Sequence, residues 1–112
     1  MTIEKKPFGK TKDGVDVEVY TLKDNGMSVE IITYGAIIKS IYVPVAGKVR
    51  DVALGFDDMA GYESNMGAHG AVIGRVANRV ANACYEMNGK TYHMDKNAGP
   101  HCIHGGFIGF DK

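Results

Sequence analysis

Two stretches of the chain concentrate side chains able to grip a polar ligand. The first, Gly74-Arg75-Val76-Ala77-Asn78-Arg79-Val80-Ala81-Asn82, holds a tandem Arg-Val-Ala-Asn repeat. Arginine offers a planar fork of donors, and asparagine offers both an amide and a carbonyl. Together they suit sugar hydroxyls or a carboxylate. The competing reading is a solvated basic turn, since exposed arginine is the norm. On a helix the two arginines would share one face; on irregular backbone they need not. The second stretch is His101-Cys102-Ile103-His104-Gly105-Gly106. A histidine against two glycines can sit where the backbone turns sharply and leaves the imidazole open to a ligand. Its rivals are loop histidines with no task and a zinc site drawn from His93, His101, Cys102 and His104. That spacing matches no common structural zinc pattern.

Other chemistries fail on their residues. Gly67-Ala68-His69-Gly70-Ala71-Val72-Ile73-Gly74 is glycine-rich but has no Gly-Lys-Ser/Thr and no Gly-x-Gly-x-x-Gly opening a helix, so no nucleotide site is expected. Cys84 falls inside an expected strand with no basic neighbour and reads as a small packing residue. The chain's 13 basic and 13 acidic side chains cancel, which argues against a nucleic-acid partner. No run approaches the ~18 consecutive apolar residues of a membrane span. The first residues have no apolar run behind them, so no signal peptide is expected. Two cysteines do not make a disulfide framework. A reducing, cytoplasmic setting is the expectation.

The elements that must hold these stretches are strands. Among 112 residues there are 15 glycines and only 3 prolines, and short β-branched runs separate many of the glycines, the composition of a turn-rich β protein. Val15 to Leu22 alternates valines with carboxylates; Asp24-Asn25-Gly26 makes a turn and Met27 to Ile31 resumes the alternation, predicting a hairpin. Ala36 to Val43 predicts a strand that stops or reaches an edge at Pro44. Val49 to Phe56 predicts another, and Asp57 to Tyr62 a helical turn capped by Asp57. Ala83 to Met87 and Lys90 to Met94, joined by Asn88-Gly89, form the clearest hairpin. No composition break marks a domain boundary. Phe107, Ile108 and Phe110 need an element to pack against, so the chain reads as the N-terminal part of something longer.

In this order, these pieces resemble the aldose 1-epimerases (galactose mutarotases). The resemblance runs through Thr33-Tyr34-Gly35-Ala36-Ile37-Ile38, Leu54-Gly55-Phe56-Asp57 to Tyr62, and Ile73-Gly74-Arg75-Val76-Ala77-Asn78-Arg79. It continues through the Asn88-Gly89 hairpin and Ile103-His104-Gly105-Gly106 into Gly109-Phe110-Asp111-Lys112. It implies an all-β fold, a large antiparallel β-sandwich that is incomplete in this chain, with residues 1–112 as the N-terminal part of a single epimerase domain. It also implies a small-molecule aldohexose as the partner, and no metal or nucleotide cofactor. The implied reaction interconverts the α and β anomers of free aldohexoses: an acid protonates the ring oxygen, a base takes the anomeric proton, and the open aldehyde rotates and recloses.

By position, Asn78, Arg79 and His104 match the family's substrate-binding residues. Arg75 lies in the motif, but the second arginine is the one that faces sugar. The family's acid histidine, base glutamate and a further binding aspartate match nothing in residues 1–112, so no catalytic residue is assigned. His69 and His101 occupy non-matching positions. An incomplete sheet would leave unpaired edges and an open apolar face. Two alternatives stand beside the enzyme reading: a non-catalytic sugar-binding or interaction module, and a relative acting on phosphorylated hexose through Arg75 and Arg79.

Overall fold

The computed structural model describes residues 1–64 and 67–111, so Lys112, the last residue of the resemblance, lies outside them. The chain is all-β with antiparallel sheets and divides into two compact units, Met1–Ala71 and Val72–Lys112.

The first unit is a five-stranded meander: β1 (Thr2–Lys10), β2 (Asp16–Asp24), β3 (Met27–Ile32), β4 (Ile38–Val45) and β5 (Lys48–Asp51), in that spatial order. Alternation sends Val17, Val19 and Ile32 to one face, where they are buried with Ile37, Met59 and Tyr62. A single helical turn, α1 (Met59–Glu63), contributes Met59 and Tyr62 to that core. Tyr62 packs edge-on against Phe8 and Phe56, and its hydroxyl accepts the Phe56 amide at 3.1 Å. Gly55 lies so close beneath that hydroxyl that a Cβ there would stand 2.6 Å from it. The Leu-Gly-Phe-Asp piece is therefore a packing motif.

The same face continues into a half-buried polar strip. Lys39 donates to Glu30 at 2.7 Å, and Glu30 is only 8% exposed. The opposite face is apolar and open. Cross-strand register aligns Ile3, Leu22, Val29 and Ile41 in one row, with Tyr20 beside Ile31 in the next. Ile3, Tyr20, Leu22 and Ile31 line a shallow groove of about 390 Å³.

Several expectations shift. β1 carried no apolar alternation and was not expected; it is a charged edge strand, tied to β2 by the Lys5–Glu18 and Lys23–Glu4 pairs and irregular at Pro7 to Gly9. Of the two outcomes expected at Pro44, β4 does not stop there but reaches a local edge on its β3 side. Pairing with β3 stops at Ser28–Tyr42, so Pro44 meets only β5 and its missing N–H disturbs no ladder on the β3 side. The expected strand from Val49 to Phe56 shrinks to β5, because Asp51 Oδ1 accepts the amides of Ile41 and Ala53 and turns the chain away. The cap of α1 is Asp58, whose carboxylate accepts the Gly61 amide at 2.9 Å, and not Asp57. No helix among the described residues is long and apolar enough to cross a membrane.

The second unit contains two short ladders. β6 (Arg79–Val80) pairs with β9 (Cys102–Ile103), and β7 (Cys84–Met87) pairs with β8 (Lys90–His93). Asn88 and Gly89 both have positive φ, as a two-residue hairpin turn requires. Tyr85 and Tyr92 stack across that hairpin at 5.3 Å. A one-turn 3-10 segment, Ala81–Ala83, joins β6 to β7. Cys84 is half-buried at the start of β7, Cys102 is buried in β9, and both are free.

The Lys39–Glu30 pair generates a stability prediction. Burial pushes Lys39 down, but the hydrogen bond and charge of Glu30 outweigh it and hold Lys39 above the ordinary 10.5. Lys39→Met leaves Glu30 buried without its cation and should destabilise the first unit by about 3 kcal/mol. A raised lysine pKa gives stability that is fully present below 10.5 and lost as pH climbs through the higher folded value. Urea midpoints of the wild type should therefore fall in that alkaline window, while those of Lys39→Met change less.

Candidate functional site

The two stretches that could grip a ligand meet at the β6–β9 ladder. Arg79 stands opposite Ile103 and Val80 opposite Cys102, which brings Asn78 level with His104. Asn78 and His104 bind each other twice. The Asn78 amide donates to His104 Nδ1 at 3.1 Å, and the His104 amide donates to the Asn78 carbonyl at 3.0 Å. Both residues hold left-handed backbone, with φ of 61° at Asn78 and 54° at His104. Asparagine tolerates that region; for histidine it is uncommon and costs about 1–2 kcal/mol.

The His104 conformation persists because its surroundings over-determine it. Gly105 and Gly106 continue at φ of 88° and 114°, and a Cβ on Gly106 would run into the Asp95 carboxylate. Asp95 accepts the Phe107 amide at 3.1 Å. Asn97 clamps the loop with its whole amide: Nδ2 donates to the carbonyls of Ile103 at 2.9 Å and Gly106 at 2.8 Å, while Oδ1 accepts the Ile103 amide at 2.8 Å. The His-Gly-Gly pattern is thus an imidazole tied to the Asn78 backbone, followed by two residues that only glycine can fill.

Tautomer follows from the hydrogen bond. A ring nitrogen that accepts an N–H carries no proton, so neutral His104 bears its hydrogen on Nε2. The trio then presents an exposed arginine fork, an exposed asparagine amide and an imidazole N–H. This set suits the hydroxyl oxygens of a polyol. It does not supply a base, because the one basic lone pair, Nδ1 of His104, is already occupied.

The other candidates are elsewhere. Arg75 lies over the Phe110 ring at 5.3 Å and lines a cleft of about 510 Å³ with Tyr85, Tyr92 and His93. The tandem repeat forms no α-helix, only entering the 3-10 turn at Ala81 and Asn82, and its arginines have different settings. His69 packs on Phe56 at 5.5 Å in the first unit. His101 accepts the Asn82 amide at its own Nδ1, 3.0 Å away. Among the described residues, no three His, Cys, Asp or Glu side chains cluster as metal ligands.

Comparison with known proteins decides the family. The family model for aldose 1-epimerase matches residues 18–111. This chain belongs to the aldose 1-epimerase family. It is 40% identical over 114 residues to galactose mutarotase of Mus musculus, covering 100% of this chain and 33% of that protein. It is 42% identical over 101 residues to aldose 1-epimerase of Haemophilus influenzae, covering 89% and 29%. The chain thus spans about a third of the length of the curated relatives it matches. An aldose epimerase homologue from C. elegans superposes with a TM-score of 0.73 at 29% identity, over 98% of this chain and 30% of that one. Galactose 1-epimerase from Lactobacillus acidophilus superposes with a TM-score of 0.80 over 99% of this chain and 32% of that one; at 24% identity this likeness concerns the fold.

Sequence reasoning passed over Asn97 and Asp95. No spacing marks an asparagine as a clamp, because its partners are backbone groups brought near only by the fold. In this member of the aldose 1-epimerase family, Asn97→Ala removes three hydrogen bonds and should loosen the loop by about 3 kcal/mol, at roughly 1 kcal/mol each. Amide exchange at Ile103 should accelerate accordingly, while exchange in the β7–β8 hairpin stays unchanged. Asn97→Asp should loosen the loop as much, since it keeps the acceptor but turns a carboxylate toward two carbonyls.

Proposed function

We propose that residues 1–112 are the sugar-gripping part of a single aldose 1-epimerase domain, one that interconverts the α and β anomers of free aldohexoses such as galactose and glucose. Asn78, Arg79 and His104 are the substrate-binding residues in this reading. The observation that carries it is the reciprocal Asn78–His104 pair, which sets an imidazole Nε2–H beside the Arg79 strand. The names of the relatives, galactose mutarotase and aldose 1-epimerase, support the same substrate class.

Ring opening needs an acid at the ring oxygen and a base at the anomeric hydroxyl. With His104 Nδ1 occupied and Arg79 permanently protonated, the trio binds without exchanging protons. The acid and base come from residues outside 1–112 in this proposal, and the chain by itself is inactive. The same occupied lone pair favours the second reading, a sugar-binding module without catalysis; the downstream coding sequence separates the two. A phosphate clamp formed by both arginines finds less support, since Arg75 is engaged by the Phe110 ring.

Polarimetry of freshly dissolved α-D-galactose should show the 112-residue chain relaxing anomers no faster than buffer; faster relaxation means the acid and base have been misplaced. Proton NMR titration should show weak binding of galactose, because an open half-site competes with water for every hydroxyl. Arg79→Ala and His104→Ala should each weaken it about tenfold, the loss expected for a charge-assisted bond or a bond with its support removed. A folded chain that ignores both hexoses at high millimolar concentration would refute the assignment.

A further inference from the structure

The tandem Arg-Val-Ala-Asn repeat has a structural counterpart that its sugar-binding half leaves unexplained. Each repeat ends in an asparagine with left-handed backbone, Asn78 at φ 61° and Asn82 at φ 55°. Each of those asparagines donates its amide to a histidine Nδ1. Asn78 donates to His104 at 3.1 Å, and Asn82 donates to His101 at 3.0 Å. The two histidines flank β9, and the two asparagines flank the stretch from Arg79 to Ala81 that contains β6. A ladder of two residues per strand holds very little register by itself. The imidazoles pin it at both ends.

We infer that His101 is a positioning residue for Arg79. It touches no substrate; it acts by holding the Asn82 amide, and so fixes the far end of the strand that presents the arginine. This inference rests on the reading of Arg79 as a sugar-binding residue. The His101 ring is itself anchored, because its backbone exchanges two hydrogen bonds with Ala98, each at 3.1 Å, around the tight Gly99-Pro100 turn. Arg79 therefore sits between two latches, one immediately before it at Asn78 and one three residues after it at Asn82. The first latch is also a ligand-facing group, while the second has only the mechanical task. The chemistry required of residue 101 is an acceptor at the position of Nδ1 and nothing more. Asparagine offers a carbonyl oxygen in nearly the same place; alanine offers none.

The test uses the 112-residue chain with galactose as the probe. His101→Ala should weaken galactose binding about fivefold in NMR titration, the equivalent of one ordinary hydrogen bond. It should also speed hydrogen exchange at the Asn82 amide and shift the Arg79 amide resonance. His101→Asn should restore all three readings towards wild type, and the β7–β8 hairpin amides report that each variant is folded. Unchanged galactose affinity in a folded His101→Ala chain overturns the inference. So does a folded His101→Asn chain that behaves like His101→Ala. If the wild type itself ignores galactose, the site assignment fails separately. In that case the Asn82 exchange and the Arg79 resonance still decide the latch, which stands only if alanine disturbs both and asparagine restores them.

Discussion

The hydrogen bond from the Asn78 amide to His104 Nδ1 is the constraint on which the candidate site depends. It joins two sequence segments 26 residues apart, selects the tautomer of the imidazole, and occupies the lone pair of Nδ1. A histidine with a free lone pair would compete for protons. A histidine so engaged is a fixed donor, which is what recognition of a neutral polyol needs. In the proposed reading, the distinction between gripping and proton transfer lies in where that one lone pair is directed.

That bond requires costly local backbone. Three successive residues, His104 to Gly106, have positive φ, and the first of them is not glycine. The offset is local and polar: Asn97 satisfies the flanking amide and carbonyls, Asp95 takes the Phe107 amide, and the His104 amide returns to Asn78. These bonds hold the His104 side chain within the narrow tolerances of hydrogen bonding.

How much of this was legible in the sequence follows from range. β2, β3 and the β7–β8 hairpin were legible because alternation and Asn-Gly chemistry are written into neighbouring residues. β1 was not, since an edge strand is selected for charge and shows no apolar period. The cap fell on Asp58 instead of Asp57 because two adjacent aspartates offer the same signal and only backbone geometry chooses between them. Within the site, Asn78, Arg79 and His104 stood out by resemblance. Asn97 and His101 did not, because both serve main-chain groups whose positions exist only after folding. The tandem repeat was visible, yet its meaning was not: the repeated unit encodes two left-handed asparagines that each need an acceptor.

The open face of the five-stranded sheet follows from the same division between local and distant information. Ile3, Leu22, Val29 and Ile41 stand in one cross-strand row, and Ile3 is 58% exposed. Leu22, Val29 and Ile41 are only half-buried, and such a row forgoes roughly 25 cal/mol for each Å² that a second layer would cover. The sheet's other face is already occupied, by the core around Val19 and Tyr62 and by the Lys39–Glu30 strip. Two occupied faces are the normal condition of a sandwich layer, whose partner sheet packs about 10 Å away. Relatives three times as long as this chain have the residues for such a layer. The half of the sheet that packs on its own neighbours, at Val17, Val19 and Ile32, shows the burial that the outer row lacks, so the difference between the two faces is one of partners and not of composition.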